Sequence, residues 1–204
     1  MGERAVSSLE CLLRPRILSL AEPLRSIALL LTTLALADCS ATPPRPATQS
    51  PALRLAPAAL GTEVALQQRL AVSRDGRTQQ ADALLEIDAK TLRLVLLVGP
   101  RRMLTLSFDG EHLDEVRDPA LPSALEGERF VSDIQLAYWP APAIRAALPA
   151  GWTLDESELA RTLSRDGVPE IAIAYSQLPR WLGRIDLKHL RADYQLRIES
   201  VAAP

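Results

Sequence analysis

The chain has 204 residues, a length that fits one domain of ordinary size rather than two. Its 23 Lys and Arg nearly balance its 25 Asp and Glu, and the net charge of -2 argues against sequence-independent nucleic-acid binding. Hydrophobic residues make up 48% and charged residues 24%, a composition typical of a globular protein. The two cysteines, Cys11 and Cys39, are too few for a disulfide framework or a cysteine zinc cluster.

An apolar segment near the N-terminus indicates export. Residues 26–37 read SIALLLTTLALA and follow Arg14, Arg16 and Arg25. A helix of this length rises about 18 Å, short of the roughly 30 Å hydrocarbon core, so the segment is typical of a signal peptide and not of a membrane anchor. Residues 1–25 are long for a signal n-region and contain Glu3, Glu10 and Glu22, and our hypothesis is that translation starts downstream of them.

Two peptidases could cleave after this segment. Residues 36–39 (LADC) resemble a bacterial lipobox, in which the cysteine is acylated and becomes the first residue of the mature protein. The resemblance favours Cys39 as the lipid-attachment site, although Asp38 departs from the small residue that the pattern has before the cysteine. Ser40, in place of an aspartate, implies sorting to the outer membrane. In the alternative, residues 35–37 (ALA) form an ordinary signal-peptidase site, and cleavage at Ala37 releases a soluble periplasmic protein.

These features divide the sequence into three parts. Residues 1–38 are the predicted signal peptide with its doubtful N-terminal extension, 39–57 contain the lipid attachment and a Pro-rich tether, and 58–204 are the predicted folded domain. Prolines mixed with Thr, Ser and Ala predict that the tether is extended and solvated, so that it holds the domain clear of the membrane.

Alternating apolar residues dominate the first part of the domain and predict antiparallel strands. Hydrophobic side chains alternate with polar ones at Val64, Leu66, Leu70 and Val72 and again within 83–87, with a hairpin turn signal at 74–77. Residues 92–98 are apolar at nearly every position, which predicts a strand covered on both faces. A further strand over 104–108 ends before an Asp-Gly dipeptide. The pattern predicts a meander of strands joined by tight turns.

Helical patterns are confined to the middle of the domain. Phe130, Ile134 and Tyr138 recur at helical spacing, although residues 131–139 also fit a strand. Residues 143–148 lie between two prolines and predict one short amphipathic helix. The middle of the chain therefore differs from the strands that precede it.

The last third returns to strand patterns. The predicted strands, two of them flanking an Asp-Gly turn, are 161–165, 170–176, 183–190 and 194–201. Before them, Asp155 followed three residues later by Glu158 fits a helix capping box. Strands, then one or two helices, then strands predict an α+β domain with a curved antiparallel sheet wrapped around helices.

Side chains suited to catalysis or metal binding are sparse. His189 lies on a predicted strand, and His112 lies in a polar segment next to Asp114 and Glu115, which we interpret as a solvated loop. The sequence contains no Gly-x-Ser-x-Gly elbow and no glycine-rich phosphate loop. It predicts a protein that is not an enzyme and that uses neither a cofactor nor a metal.

Four short segments resemble a known family: 134–140 (IQLAYWP), 148–152 (LPAGW), 161–163 (RTL) and 194–198 (YQLRI). With the lipobox, they resemble a family of Gram-negative outer-membrane lipoproteins that is similar to the LolA/LolB lipoprotein-carrier superfamily and often accompanies aryl-polyene biosynthesis genes. The resemblance covers about residues 60–201. It implies an unclosed antiparallel β-barrel with helices covering the concave face, and in such carriers the apolar cavity shelters acyl chains.

The predicted function is that of a lipoprotein anchored on the periplasmic face of the outer membrane, which binds or transfers an acyl or polyene lipid. An apolar wall would stabilise such a ligand by about 25 cal/mol per Å² buried. The predicted wall residues are Leu85, Leu94, Leu96, Leu106, Ile134 and Trp139. The alternative is an envelope scaffold, with a filled interior and an exposed apolar patch, whose partners are envelope or biosynthetic proteins.

Overall fold

The computed structural model describes residues 50–74, 76–122, 125–192 and 194–204. The predicted signal peptide, Cys39 and most of the predicted tether lie outside the described residues. In the part that is described, a short 3₁₀ helix, Pro57–Leu60, precedes the first strand. The strands are β1 (Val64–Arg74), β2 (Arg77–Ile87), β3 (Leu92–Val98), β4 (Arg101–Phe108), β5 (Leu113–Arg117), β6 (Trp152–Glu156), β7 (Ala160–Arg165), β8 (Val168–Tyr175), β9 (Gly183–His189) and β10 (Tyr194–Ala202). The helices are α1 (Gly127–Tyr138) and α2 (Ala141–Ala147).

All of these strands belong to one antiparallel sheet, in which β1 and β10 are neighbours. The strand order is β5-β4-β3-β2-β1-β10-β9-β8-β7-β6, so that two meanders of adjacent hairpins meet at the centre. Pairing of Leu70 with Ile198 lies within this central β1–β10 ladder. Strands β5 and β6 form the two edges, and the curved sheet is unclosed.

The topology explains why the helices cover one face of the sheet. The chain leaves the sheet at the β5 edge and re-enters it at the β6 edge, on the opposite side. Helices α1 and α2 lie within this connection, so the connection crosses the sheet face that is apolar. We call the face that packs against the helices the inner face, and the opposite one the outer face.

Alternation along the strands builds the core. In β1, Val64, Leu66 and Leu70 are buried, while Ala65 and Arg69 between them are exposed. The same period of two holds along β3, β9 and β10. The inner face therefore collects the apolar side chains, and the hydrophobic effect holds the sheet against the helices.

The structure confirms an α+β domain with a curved antiparallel sheet and resolves the alternatives in the middle of the chain. Residues 131–138 are helical, as the spacing of Ile134 and Tyr138 indicated, and α2 has a proline in its first turn. The hairpins at 74–77 and at Asp166-Gly167 are present.

Other predictions were wrong. Strand β3 is fully buried on one face only: Leu92, Leu94 and Leu96 are buried, whereas on the other face Arg93 is exposed and Val95 and Leu97 are half-buried. Asp155 does not begin a helix: it lies in β6 and pairs with Thr162 of β7, and this strand pairing satisfies the backbone that a capping box would serve. Strand β5 was missed because its burial pattern is mostly exposed and lacks the apolar alternation of a half-buried strand.

The end of the predicted tether is not solvated. From Pro51 to Pro57 the chain lies against α1, and Leu53 is 3% exposed. Apolar residues alternate with exposed ones here, so the segment behaves like a strand without a strand partner. Proline content predicted an extended backbone, and only the packing decides that this backbone is docked.

Candidate functional site

All six predicted wall residues belong to the hydrophobic core or pack against it: Leu85, Leu94, Leu96, Leu106, Ile134 and Trp139. Leu85, Leu94 and Leu106 pair across β2, β3 and β4, which places them in one row on the inner face. They are 0%, 2% and 1% exposed. Leu66 of β1 pairs with Leu85 and extends the row by another strand. The helices thus cover a continuous apolar stripe.

Two of the six residues belong to the helical cover rather than to the sheet. Ile134 lies on α1 and is half-buried. Trp139 follows the last residue of α1 and is fully buried, and its indole Nε1 donates a hydrogen bond to the Ala56 carbonyl at 3.1 Å. The structure brings the four leucines together in the sheet and sets the other two residues in the layer above them.

A buried arginine fixes the C-terminal end of α1. Arg161 of β7 is 2% exposed, and its guanidinium donates to the carbonyls of Leu136 and Trp139, both at 2.7 Å, and to that of Ala137 at 3.1 Å. Its Nε donates to Glu156 Oε2 at 2.7 Å. The last carbonyls of a helix have no intrahelical donors, and a cation there also complements the helix dipole. Arg161 therefore ties α1 to the sheet.

A second buried polar group links α1 to the centre of the sheet. Gln68 Nε2, on the inner face of β1, donates to the Tyr138 hydroxyl at 2.8 Å and to Ser200 Oγ at 2.9 Å. Burial raises the pKa of Tyr138 to about 12, so the phenol stays protonated. Tyr175 behaves alike: its hydroxyl donates to the Ala137 carbonyl at 2.8 Å, and burial raises its pKa to about 12.

Titratable groups cluster beside the N-terminal half of α1. Asp133 and Arg129 lie one helical turn apart, with 3.5 Å between Arg129 Nε and Asp133 Oδ2. His189 of β9 has its Nε2 at 2.9 Å from Arg129 Nη2 and at 3.9 Å from Asp133 Oδ1. Burial raises the pKa of Asp133 to about 6, which Arg129 partly offsets. Burial, with the positive charge of Arg129, lowers the pKa of His189 to about 4.

Side chains of α1 also bind the backbone of residues 51–57. The Ser132 hydroxyl accepts the Leu53 N–H at 3.1 Å and donates to the Pro51 carbonyl at 3.0 Å. Gln135 accepts the Leu55 N–H at 2.9 Å and donates to the Leu55 carbonyl at 2.8 Å. Both side chains are buried, so the segment satisfies polar groups that would otherwise be orphaned.

The outer face carries an open concavity of about 590 Å³, which is lined by residues of β1, β2, β3, β9 and β10. Leu84 and Val201, which line it, are 44% and 62% exposed. Charged residues of alternating sign cross the same strands, and Arg69 Nε lies 3.7 Å from Asp82 Oδ1. None of the predicted wall residues lines this concavity.

The described residues contain no group of three or more His, Cys, Asp or Glu arranged to hold a metal. His112 is exposed, with its Nδ1 at 3.3 Å from Asp109 Oδ2, and the backbone N–H groups of His112 and Glu111 lower the pKa of that carboxyl to about 2. His189 is buried beside α1. The candidate lipid-attachment residue Cys39 lies outside the described part of the chain.

Residues 65–202 match the model of a family of proteins of unknown function, DUF3261. The chain belongs to this family. The matched range covers all of the sheet except Val64, the first residue of β1, and it contains both helices. Among proteins with curated functions, none matches the chain. Across the stretches from 50 to 204 that the structure describes, no helix is long and apolar enough to cross a membrane.

Sequence reasoning missed the polar residues that hold the cover in place. Arg161, Gln135 and Gln68 are buried, and each interrupts an otherwise apolar inward pattern. A long polar side chain at an inward position signals a buried partner, because an unpaired polar group there is costly. That signal identifies the residue but not its partner, since every partner except Glu156 lies from 22 to 132 positions away in sequence.

Proposed function

We propose that this DUF3261 protein is an exported, lipid-anchored periplasmic protein that binds a hydrophobic ligand, an acyl or polyene lipid, on the inner face of its sheet. The observation that carries the proposal is the row formed by Leu66, Leu85, Leu94 and Leu106. It is an uninterrupted apolar stripe on an unclosed sheet, and helices rather than further strands cover it.

A cover made of helices can move without breaking the sheet beneath it. Each of the ten strands pairs only with other strands, so displacement of α1 leaves every ladder of the sheet intact. The C-terminal end of α1 is held by the buried guanidinium of Arg161, whereas its N-terminal half rests on a cluster of titratable groups around Asp133. These contacts favour a cover that stays attached at its C-terminal end while the ligand enters beside its N-terminal half.

The proposed relation to the LolA/LolB carriers rests on the same architecture. An unclosed antiparallel sheet with helices on one face is compatible with such a carrier. Acylation of Cys39 would supply the membrane anchor, and two or three acyl chains anchor stably where a single chain is marginal. Anchoring at the outer membrane would then hold the apolar face near the lipids that it takes up or delivers.

Ligand binding is tested with cis-parinaric acid, a fluorescent polyene fatty acid, titrated into the mature protein. We expect saturable binding by the native chain, loss of binding in Leu96→Glu and retention in Leu97→Glu. These neighbours on β3 face opposite sides, so the pair separates the inner face from a general effect of the charge. Ile134→Glu, at a half-buried position of the cover, is the second inner-face variant, and circular dichroism verifies that each variant is folded.

A protein that binds neither this probe nor extracted envelope lipids, both as the native chain and after residues 51–57 are displaced from α1, would overturn the proposal. The outer concavity then favours the second candidate, an envelope scaffold. Leu84 and Val201 are exposed in this concavity of about 590 Å³, whose charged lining residues are Arg69, Asp82, Arg184 and Glu199, a setting suited to a protein partner. Leu84→Asp should abolish capture of such a partner, with circular dichroism showing that the variant is folded.

A further inference from the structure

Residues 51–57, which we call the strap, are bound as a peptide ligand is bound. Their backbone hydrogen bonds run to the side chains of Ser132 and Gln135 in α1 and of Trp139, which directly follows α1. Spacings of three and four positions place these three side chains on one face of the helix end. Gln135 uses both its carbonyl and its amide group on Leu55, the arrangement by which one residue of an extended backbone is recognised.

Apolar side chains of the strap enter the core at every second position. Leu53 and Pro57 are buried and Leu55 is half-buried, whereas Ala52 and Ala56 are exposed. Leu53 contributes to a small space of about 10 Å³ together with Phe108 of β4, Leu113 of β5 and Val131 of α1. The strap therefore fills the groove between α1 and the β4–β5 edge of the sheet.

This groove leads to the proposed ligand site. Phe108 and Leu106 lie on the same strand, and Leu106 belongs to the apolar row of the inner face. Removal of the strap would uncover Val131 and Phe108 and leave an apolar slot beside the N-terminal half of α1. Leucines of the strap thus stand where hydrocarbon would enter.

The strap can leave without unfolding the domain. None of the ladders that join the ten strands of the sheet includes a residue of the strap. Its surface contacts are weak: Arg54 pairs with Glu128 at 2.9 Å, but the two side chains are 44% and 58% exposed, and such a pair adds little. The chief costs of release are the burial of Leu53 and the hydrogen bonds that Ser132, Gln135 and Trp139 make with the strap backbone.

We propose that the strap is an exchangeable, autoinhibitory segment, which occupies the entrance of the inner-face site and has to leave before a hydrophobic ligand can enter. The second half of this proposal rests on the proposed function, whereas exchange of the strap does not. The ligand that fits this groove is an extended peptide with apolar side chains at alternate positions, as in the strap. When hydrocarbon replaces the strap, the site opens. Opening of the site would thus be coupled to movement of the segment that joins the domain to the membrane tether.

The test compares Leu53→Asp with Ala52→Asp in the full mature chain. Both changes add one carboxylate to the strap, but Leu53 is buried and Ala52 is exposed. Gln135→Leu is the second releasing variant, since it keeps the volume and removes both partners of Leu55. Hydrogen exchange at the amides of Leu53 and Leu55 measures release directly, because their acceptors are Ser132 and Gln135.

We expect exchange of the strap amides to rise about tenfold or more in Leu53→Asp and in Gln135→Leu, and to stay unchanged in Ala52→Asp. Amides of β1 and β10 should keep their protection. A synthetic peptide of residues 50–57 should bind Leu53→Asp saturably. A general loss of protection through the sheet in both releasing variants would show that the strap is an integral part of the core and would overturn the proposal.

Titration with cis-parinaric acid separates the two proposals. Tighter binding to both releasing variants than to Ala52→Asp and the native chain supports the strap as a gate, and the added peptide should weaken that binding. Strap release with unchanged probe affinity would overturn the gate, while binding by the native chain would still support the proposed function. Probe binding by no variant, with the strap released, would overturn the proposed function alone.

Discussion

Replacement of Arg161 by methionine tests whether α1 is held to the sheet by one buried side chain. Methionine keeps most of the unbranched side chain and removes the guanidinium, which leaves the carbonyls of Leu136, Ala137 and Trp139 without these donors. Glu156 keeps Arg180, whose Nη1 lies 2.8 Å from Glu156 Oε2. The loss therefore falls on the end of the helix.

The magnitude follows from burial. Breaking a buried, hydrogen-bonded charge network costs about 3–5 kcal/mol, and a buried unsatisfied acceptor costs about 1–3 kcal/mol. We expect Arg161→Met to lower the free energy of unfolding by about 3–5 kcal/mol, a large part of the roughly 5–15 kcal/mol of a typical domain. Arg161→Lys should lose less, but a single ammonium group cannot serve three carbonyls and a carboxylate in the way a planar guanidinium does.

Urea unfolding followed by tryptophan fluorescence measures this difference. The matched control is Arg69→Met on the outer face, where the Arg69 side chain is 70% exposed and its contact with Asp82 spans 3.7 Å. An exposed pair of this kind contributes about 0–1 kcal/mol. If Arg161→Met loses no more than Arg69→Met, water replaces the guanidinium at the carbonyls of α1, and Arg161 does not anchor the cover.

Further predictions concern the titratable cluster, two glycines and the buried phenol. From about pH 4 to about pH 6, folded Asp133 binds a proton that the unfolded chain lacks, and folded His189 lacks one that the unfolded chain binds, so their effects on stability oppose each other. In Asp133→Asn, where His189 remains, the free energy of unfolding should rise with pH in this range by up to about 1.4 kcal/mol per pH unit. In His189→Gln, where Asp133 remains, it should fall with pH. A free energy of unfolding in urea that does not change with pH in either variant would contradict this. Gly183→Ala should lower the melting temperature more than Gly76→Ala: φ is positive at both, but only at Gly183 does the new Cβ meet a hydroxyl oxygen, 2.6 Å away. Equal losses would show that this contact relaxes freely. Tyr138→Phe should cost about 1–2 kcal/mol in urea unfolding, because a buried amide loses one of its two acceptors, and an unchanged midpoint would contradict that role.

Residues close in sequence made the strands and turns predictable. The hairpin around Asp166-Gly167 depends on a left-handed turn flanked by alternating apolar residues, and both features can be read within a few positions. Helix α1 was left open between helix and strand, because a short apolar stretch fits both periods. Packing decided in favour of the helix, since Leu136 and Tyr138 then meet Arg161 and Gln68 of the sheet.

The candidate site was predictable in part. The sequence identified Leu85, Leu94 and Leu106 as inward residues, and the register of the strands brings them into one row. Sequence reasoning missed the strap, because proline-rich composition predicts an extended backbone and carries no information on what that backbone contacts. It also missed Ser132 and Gln135, whose partners lie about 80 positions upstream.

By itself, the sequence predicted an export segment and determined the strand periods, the turns and an apolar inner face, because each depends on residues near one another in the chain. Only the tertiary structure decided that β1 pairs with β10, so that two meanders become one sheet whose connection must cross the inner face. It also decided that Arg161 and Gln135 are satisfied by the end of a helix and by the strap. These outcomes depend on which distant polar groups the hydrophobic core brings together, and a buried polar group persists only where such a partner is supplied.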